Sequence, residues 1–148
     1  MDATLLRNEV QNDPASKGYM TFWPDSPGKI VEMLNAPTEF MVKAIKTTTA
    51  QAWAATGPYA GIVDASNDVN HPCRASCLVV RETLSSGVDI HLERSDVQQM
   101  LLAWVATGVC SEAQRQDLLN RALQPASRME VLGLPPASEA DLRIAMEG

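Results

Sequence analysis

Apolar residues recur at spacings of three and four along most of the chain, and a polar cap and a glycine or proline bracket most of these runs. The pattern predicts a helix over 3–12, capped by Asp2, with Leu5, Leu6 and Val10 on one side. Asp13-Pro14 ends it, because the residue before a proline is pushed out of the α region. Ser26 and Pro27 open a second helix with Ile30, Met33 and Leu34 as its apolar face. Thr38 is read as the cap of a third, "PTEFMVKAIKT", whose inward side is Phe40, Met41, Ala44 and Ile45. Residues 49–65 read as a short helix broken at Gly57-Pro58 and resumed with Tyr59, Ile62 and Val63. After the polar connection "SNDVNHP", Cys73, Cys77, Val80 and Leu84 form one stripe on a helix over 72–86, stopped by Gly87.

The segment "VDIHLE", 88–93, alternates apolar and polar residues, but no second strong strand offers it a partner, so it reads as an extended connector. Beyond it, Ser95 with Gln98, Ser111 with Gln114 and Ser138 with Asp141 have the spacing of capping boxes. The helices they start turn Val97, Leu101, Trp104 and Val105, then Leu118, Leu119 and Ala122, then Leu142 and Met146 inward. Pro125 opens a short helix ending at Gly133. The sum is an all-α fold, a single compact domain over 1–148 built from seven to nine mostly short helices. Within it, 1–36 form an N-terminal helix-turn-helix with an aromatic loop, and 37–148 form the helical core.

Composition narrows this picture. At 148 residues, 45% hydrophobic and 20% charged, the chain is large and apolar enough for its own core. Aromatics are only 5%, which suits packed helices of Leu, Val, Ile, Met and Ala better than a β-sandwich. The net charge of −6 is spread, with six basic against eight acidic residues in 1–74 and six against ten in 75–148. Without a basic patch, nucleic acid is not an expected partner. No apolar run approaches the ~20 residues of a membrane-spanning helix. "MDATLLRNEV" lacks the pattern of a signal peptide, so synthesis in a cytoplasm is expected. Three cysteines without framework spacing exclude disulfides as the organising device.

Chemistry has few places to sit. In "HPCRASC", Cys73 and Cys77 lie one helical turn apart and could share a zinc ion with His71. They also lie on the same stripe as Val80 and Leu84, and free cysteine is among the most buried residue types, so core packing is the expectation. No thiol is placed beside His91, and no phosphate-binding glycine loop or His-Glu-x-x-His motif occurs. Asp64 and Asp68 read as caps or solvated loop residues. No catalytic residue, cofactor or metal is expected. The remaining candidate is a partner surface, since Tyr19, Met20, Phe22 and Trp23 are packed into one turn-rich stretch. They either plug one end of the core or anchor a neighbouring subunit, where Tyr and Trp are enriched.

Both ends of the chain resemble a family of small proteins encoded by tailed bacteriophages and prophages. The matching residues at the start are Leu6, Arg7 and Glu9 of a Leu-Arg-x-Glu helix, and Asp13, Pro14, Gly18 and Tyr19 of an Asp-Pro-x-x-x-Gly-Tyr turn. A Leu-Asn helix end follows at Leu34 and Asn35. Toward the other end, Gly108 and Val109 are followed by Pro-Ala-Ser-Arg-x-Glu-x-Leu-Gly, matched at Pro125 to Arg128, Glu130, Leu132 and Gly133, and the closing helix "SEADLRIAM" also fits. The likeness covers about half of the chain and departs from it in the extra aromatics of "TFWP". It implies a virion protein made in the bacterial cytoplasm: a non-enzymatic tail, neck or capsid accessory subunit, in several copies, contacting other phage structural proteins. The alternative is a non-virion phage factor, either an assembly chaperone or an acidic inhibitor of a host protein.

Overall fold

Side-chain caps open four of the nine helices, those that follow Asp2, Ser111, Ser127 and Ser138. In a computed structural model describing residues 1–148, the elements in chain order are α1 (Ala3–Asn12), α2 (Pro27–Asn35), β1 (Glu39–Val42), α3 (Thr47–Ala55), α4 (Pro58–Asn67), α5 (Arg74–Ser86), α6 (Ser95–Ala106), α7 (Glu112–Arg121), β2 (Leu123–Ala126), α8 (Arg128–Val131) and α9 (Glu139–Glu147). A single 3₁₀ turn, Tyr19–Thr21, lies between α1 and α2. The mostly helical expectation holds, with one two-stranded sheet of β1 and β2 added. The chain divides into two compact units, Met1–Met41 with Pro125–Gly148, and Val42–Gln124.

In the first unit, the Thr4 and Leu5 amides donate to Asp2 Oδ1 at 3.0 Å, the N-cap that starts α1. Leu6 and Val10 are fully buried, but Leu5 is 43% exposed, so the apolar face is narrower than its spacing suggested. The helix does not leave through an extended Asp13. Asp13 takes left-handed φ 43 and its amide still donates to the Glu9 carbonyl at 3.0 Å. Pro27 stands in the first turn of α2, while Ser26 occupies the cap position without accepting a side-chain cap bond. Leu6, Val10, Tyr19, Ile30, Leu34 and Met129 form the centre of this unit's core.

Two expectations need correction here. The stretch beginning at Thr38 is not a helix; Glu39–Val42 form β1, and Phe40 points outward, 67% exposed. A segment this short fits either period, and the partner strand that decides it lies far along the sequence. The Gln124 side-chain amide donates to the Ala44 carbonyl at 2.7 Å, tying residues 80 positions apart. Pro125 likewise lies inside β2 and starts no helix. The short helix that follows begins at Arg128, with Ser127 and Glu130 forming a reciprocal capping box.

The second unit holds α3 to α7. Gly57, at φ 141, turns the chain between α3 and α4, where the sequence placed the break. Trp53 and Trp104 are both buried, with their indole N–H groups donating to the Gln114 carbonyl at 2.7 Å and to Ser76 Oγ at 2.9 Å. The α5 stripe is inward as expected at Cys77 and Leu84. Residues 88–93 run as a connector with one antiparallel bridge, in which Ile45 and Ile90 exchange 2.8 Å backbone bonds. Ser111 and Ser138 cap α7 and α9 in full capping boxes, Ser138 belonging to the first unit. Ser95 does not cap α6: Arg94 holds that position, and Gln98 donates to the Leu92 carbonyl at 3.1 Å instead. No helix is long and apolar enough to cross a membrane.

Candidate functional site

The aromatic turn is built by one carboxylate. Asp13 accepts from the Lys17 and Gly18 amides at 2.6 Å each, which folds the chain back after α1. Gly18 then takes φ 80, a conformation that costs little only without a Cβ. These constraints drive Tyr19 into the core, where it has no exposed surface, and leave Met20 45% exposed. Phe22 and Trp23 are half-buried against the same core, and Lys29 Nζ sits 5.4 Å from the Phe22 ring centroid. Of the four residues singled out as partner-binding, Tyr19 is therefore inaccessible, and Met20, Phe22 and Trp23 form a ledge beside it.

Tyr19 leads to a charged cluster that sequence reading missed. Glu9, on the inner side of α1, has a side chain only 2% exposed. Arg128 clamps it with both forks, Nε to Oε1 at 2.7 Å and Nη2 to Oε2 at 3.1 Å. The Tyr19 hydroxyl donates to Glu9 Oε1 at 3.5 Å, and Arg128 Nη1 donates to Glu39 Oε1 at 3.4 Å. Glu39 Oε2 is buried without a hydrogen-bond partner. Burial, then the Glu9 charge, pushes the Tyr19 hydroxyl well above its ordinary pKa. Donation from Arg128 to Glu9 holds the guanidinium charged. The sequence signal was present in plain form: Leu-Arg-x-Glu and Ser-Arg-x-Glu each contain one member of the pair.

The other motif residues prove to be joints of the same unit. Asn35 donates to the Ala137 carbonyl at 2.8 Å and accepts the Ala137 amide at 2.9 Å, a two-way clasp behind fully buried Leu34. Arg7 Nε donates to the Ala145 carbonyl.

His71, Cys73 and Cys77 do not meet as ligands. His71 Nδ1 accepts the Cys73 amide at 3.0 Å, and the Cys73 thiol contacts Thr107 Oγ1 at 3.4 Å. Burial and the nearby Cys73 thiol push Cys77 up to about 11, so it is held as a neutral thiol. No group of three His, Cys, Asp or Glu side chains is placed to hold a metal ion.

A cavity of about 360 Å³ opens in the second unit among α3, α5, α6 and the 88–94 connector. Trp53, Leu84, Leu92, Leu101, Trp104 and Leu118 form its buried walls. Val79 and Val88 are exposed at its rim, together with Asp89, His91 and Arg94. Sequence periodicity marks these apolar residues as inward but does not show that they fail to fill the space between them. No protein-family model matches this chain, and no curated protein or solved structure does either.

Proposed function

We propose that this chain is a non-enzymatic structural and interaction protein of a tailed bacteriophage particle, acting through protein–protein contacts made in several copies. The observation that carries the reading is the ledge after α1. There an exposed methionine and two half-buried aromatics sit on a turn fixed by Asp13, Gly18 and the buried Tyr19. A rigid apolar ledge loses little conformational entropy on binding, and Met, Phe and Trp are the side chains enriched at interfaces. The resemblance of both chain ends to phage-encoded proteins supports the virion as the setting.

Mass spectrometry of purified particles tests the reading. The protein should be present in stoichiometric amounts, and its absence from washed particles would sink the proposal. Met20→Asp should leave stability within about 0.5 kcal/mol, as befits an exposed position, while lowering incorporation into particles. Unchanged incorporation would remove the ledge from the contact.

A further inference from the structure

The cavity of the second unit is unused by that reading, and its chemistry is specific. Its walls carry no unmet polar demand, because both indole N–H groups that border it are spent elsewhere, on the Gln114 carbonyl and on Ser76 Oγ. What faces the cavity is ring and aliphatic surface, and a space so lined sheds water readily to an apolar occupant. At about 360 Å³ it lies within the size range of small-molecule sites, roughly 300–1,000 Å³.

The rim decides what kind of head group such an occupant can carry. Arg94 is held by Asp96 in a two-pronged pair, Nε to Oδ1 at 3.1 Å and Nη2 to Oδ2 at 2.8 Å. His91 Nδ1 lies 2.8 Å from Glu93 Oε1. Burial works against the Glu93 carboxylate, but the His91 contact, a backbone hydrogen bond and the Arg94 charge together hold Glu93 below the usual range. Asp89 lines the rim and no hydrogen bond or ion pair involves its side chain. Of the charged side chains at the rim, Arg94 is thus matched by Asp96, while Asp89 is a carboxylate that no cation matches. A carboxylate-headed ligand would meet the unmatched Asp89 carboxylate and a guanidinium already engaged.

We propose that this cavity binds small amphiphilic amines, with an aromatic or alkyl body between Trp53 and Trp104 and a cationic head at Asp89. The site is independent of the virion reading and stands or falls on its own test. Isothermal titration of the full chain with 1-naphthylmethylammonium should show saturable binding at one per chain, with a dissociation constant on the order of 0.1 mM. At low salt 1-naphthoate should bind about tenfold more weakly, and the gap should narrow in 1 M salt as screening shortens to about 3 Å. Asp89→Lys, an exposed change, should erase or invert the preference. Val80→Phe should fill the cavity and abolish binding; if it does not fold, Thr83→Phe at the half-buried rim serves the same purpose. Absence of saturable binding by the amine, equal affinity for naphthoate, or full binding by either folded phenylalanine variant would overturn the proposal.

Discussion

Removing the Arg128 guanidinium isolates the most consequential charge in the first unit. Arg128→Met keeps most of the apolar stem and deletes the fork, so the loss measures electrostatics more than packing. Glu9 would then keep a carboxylate whose side chain is 2% exposed, with the Tyr19 hydroxyl at 3.5 Å as its remaining side-chain donor. Breaking one side of a buried pair costs about 3–5 kcal/mol, most of it the penalty of an uncompensated charge. Arg128 itself is 17% exposed, so water reaches part of the site and the lower end, about 3 kcal/mol, is expected. At roughly 2–4 °C per kcal/mol, that is a fall in Tm of about 6–12 °C. Urea unfolding followed by circular dichroism would measure it, and hydrogen exchange should localise the weakening to 1–41 and 125–148. The double variant Glu9→Gln, Arg128→Met removes both charges and should be less damaging than the single. A loss below about 1 kcal/mol in Arg128→Met, or a double variant as unstable as the summed singles, would refute the reasoning.

Two further changes test the second unit. Gly61→Ala reverses the usual rule that alanine stabilises a helix by about 1 kcal/mol over glycine. A Cβ there would lie 2.0 Å from the Val109 carbonyl oxygen, so α4 must shift, and thermal melts should show a net loss of about 1–3 kcal/mol. Cys77 holds its proton to about 11 in the folded chain against a model-peptide value of 9.0, so it contributes stability that is complete below pH 9 and lost as pH rises toward 11. Cys77→Ala should cost on the order of 1 kcal/mol at pH 7 through the cavity it leaves, and the gap to the parent should narrow above pH 9 and reverse before pH 11, as read from urea midpoints.

How much of this was legible can be judged residue by residue. Caps were readable because they act within a few positions: Asp2, Ser111 and Ser138 do what their sequence spacing implied. Ser95 failed the same pattern because Gln98 found a better acceptor, the Leu92 carbonyl, in a loop whose path no local rule specifies. Phe40 failed for a related reason. "EFMV" is too short to set its own period, and pairing with Leu123–Ala126 fixed it as a strand. Burial of Tyr19 was one of two readings its aromatic stretch allowed, and the choice depends on Asp13 folding the turn and on Glu9 and Arg128 meeting across a sequence separation of 119. The cavity was the least legible feature. Periodicity assigns side chains to an interior, and nothing in it measures whether the interior is full.

The motif residues at the two chain ends come together in one unit. Arg7, Glu9, Asp13, Asn35, Ser127 and Arg128 each make a cap, a clasp or an ion pair inside the unit formed by the two chain ends. A pattern of this kind specifies how that unit closes. It does not specify Met20, Phe22 or Trp23, which lie outside the pattern yet supply the ledge, nor Trp53, Asp89 and Trp104, which belong to the cavity of the other unit. The joints of the first unit therefore rest on these motif residues, and the ledge and the cavity are built from side chains that hold none of those joints. Exchanging the ledge or filling the cavity should alter binding while leaving the Glu9–Arg128 pair intact, whereas breaking that pair should destabilise the first unit without changing what the cavity prefers.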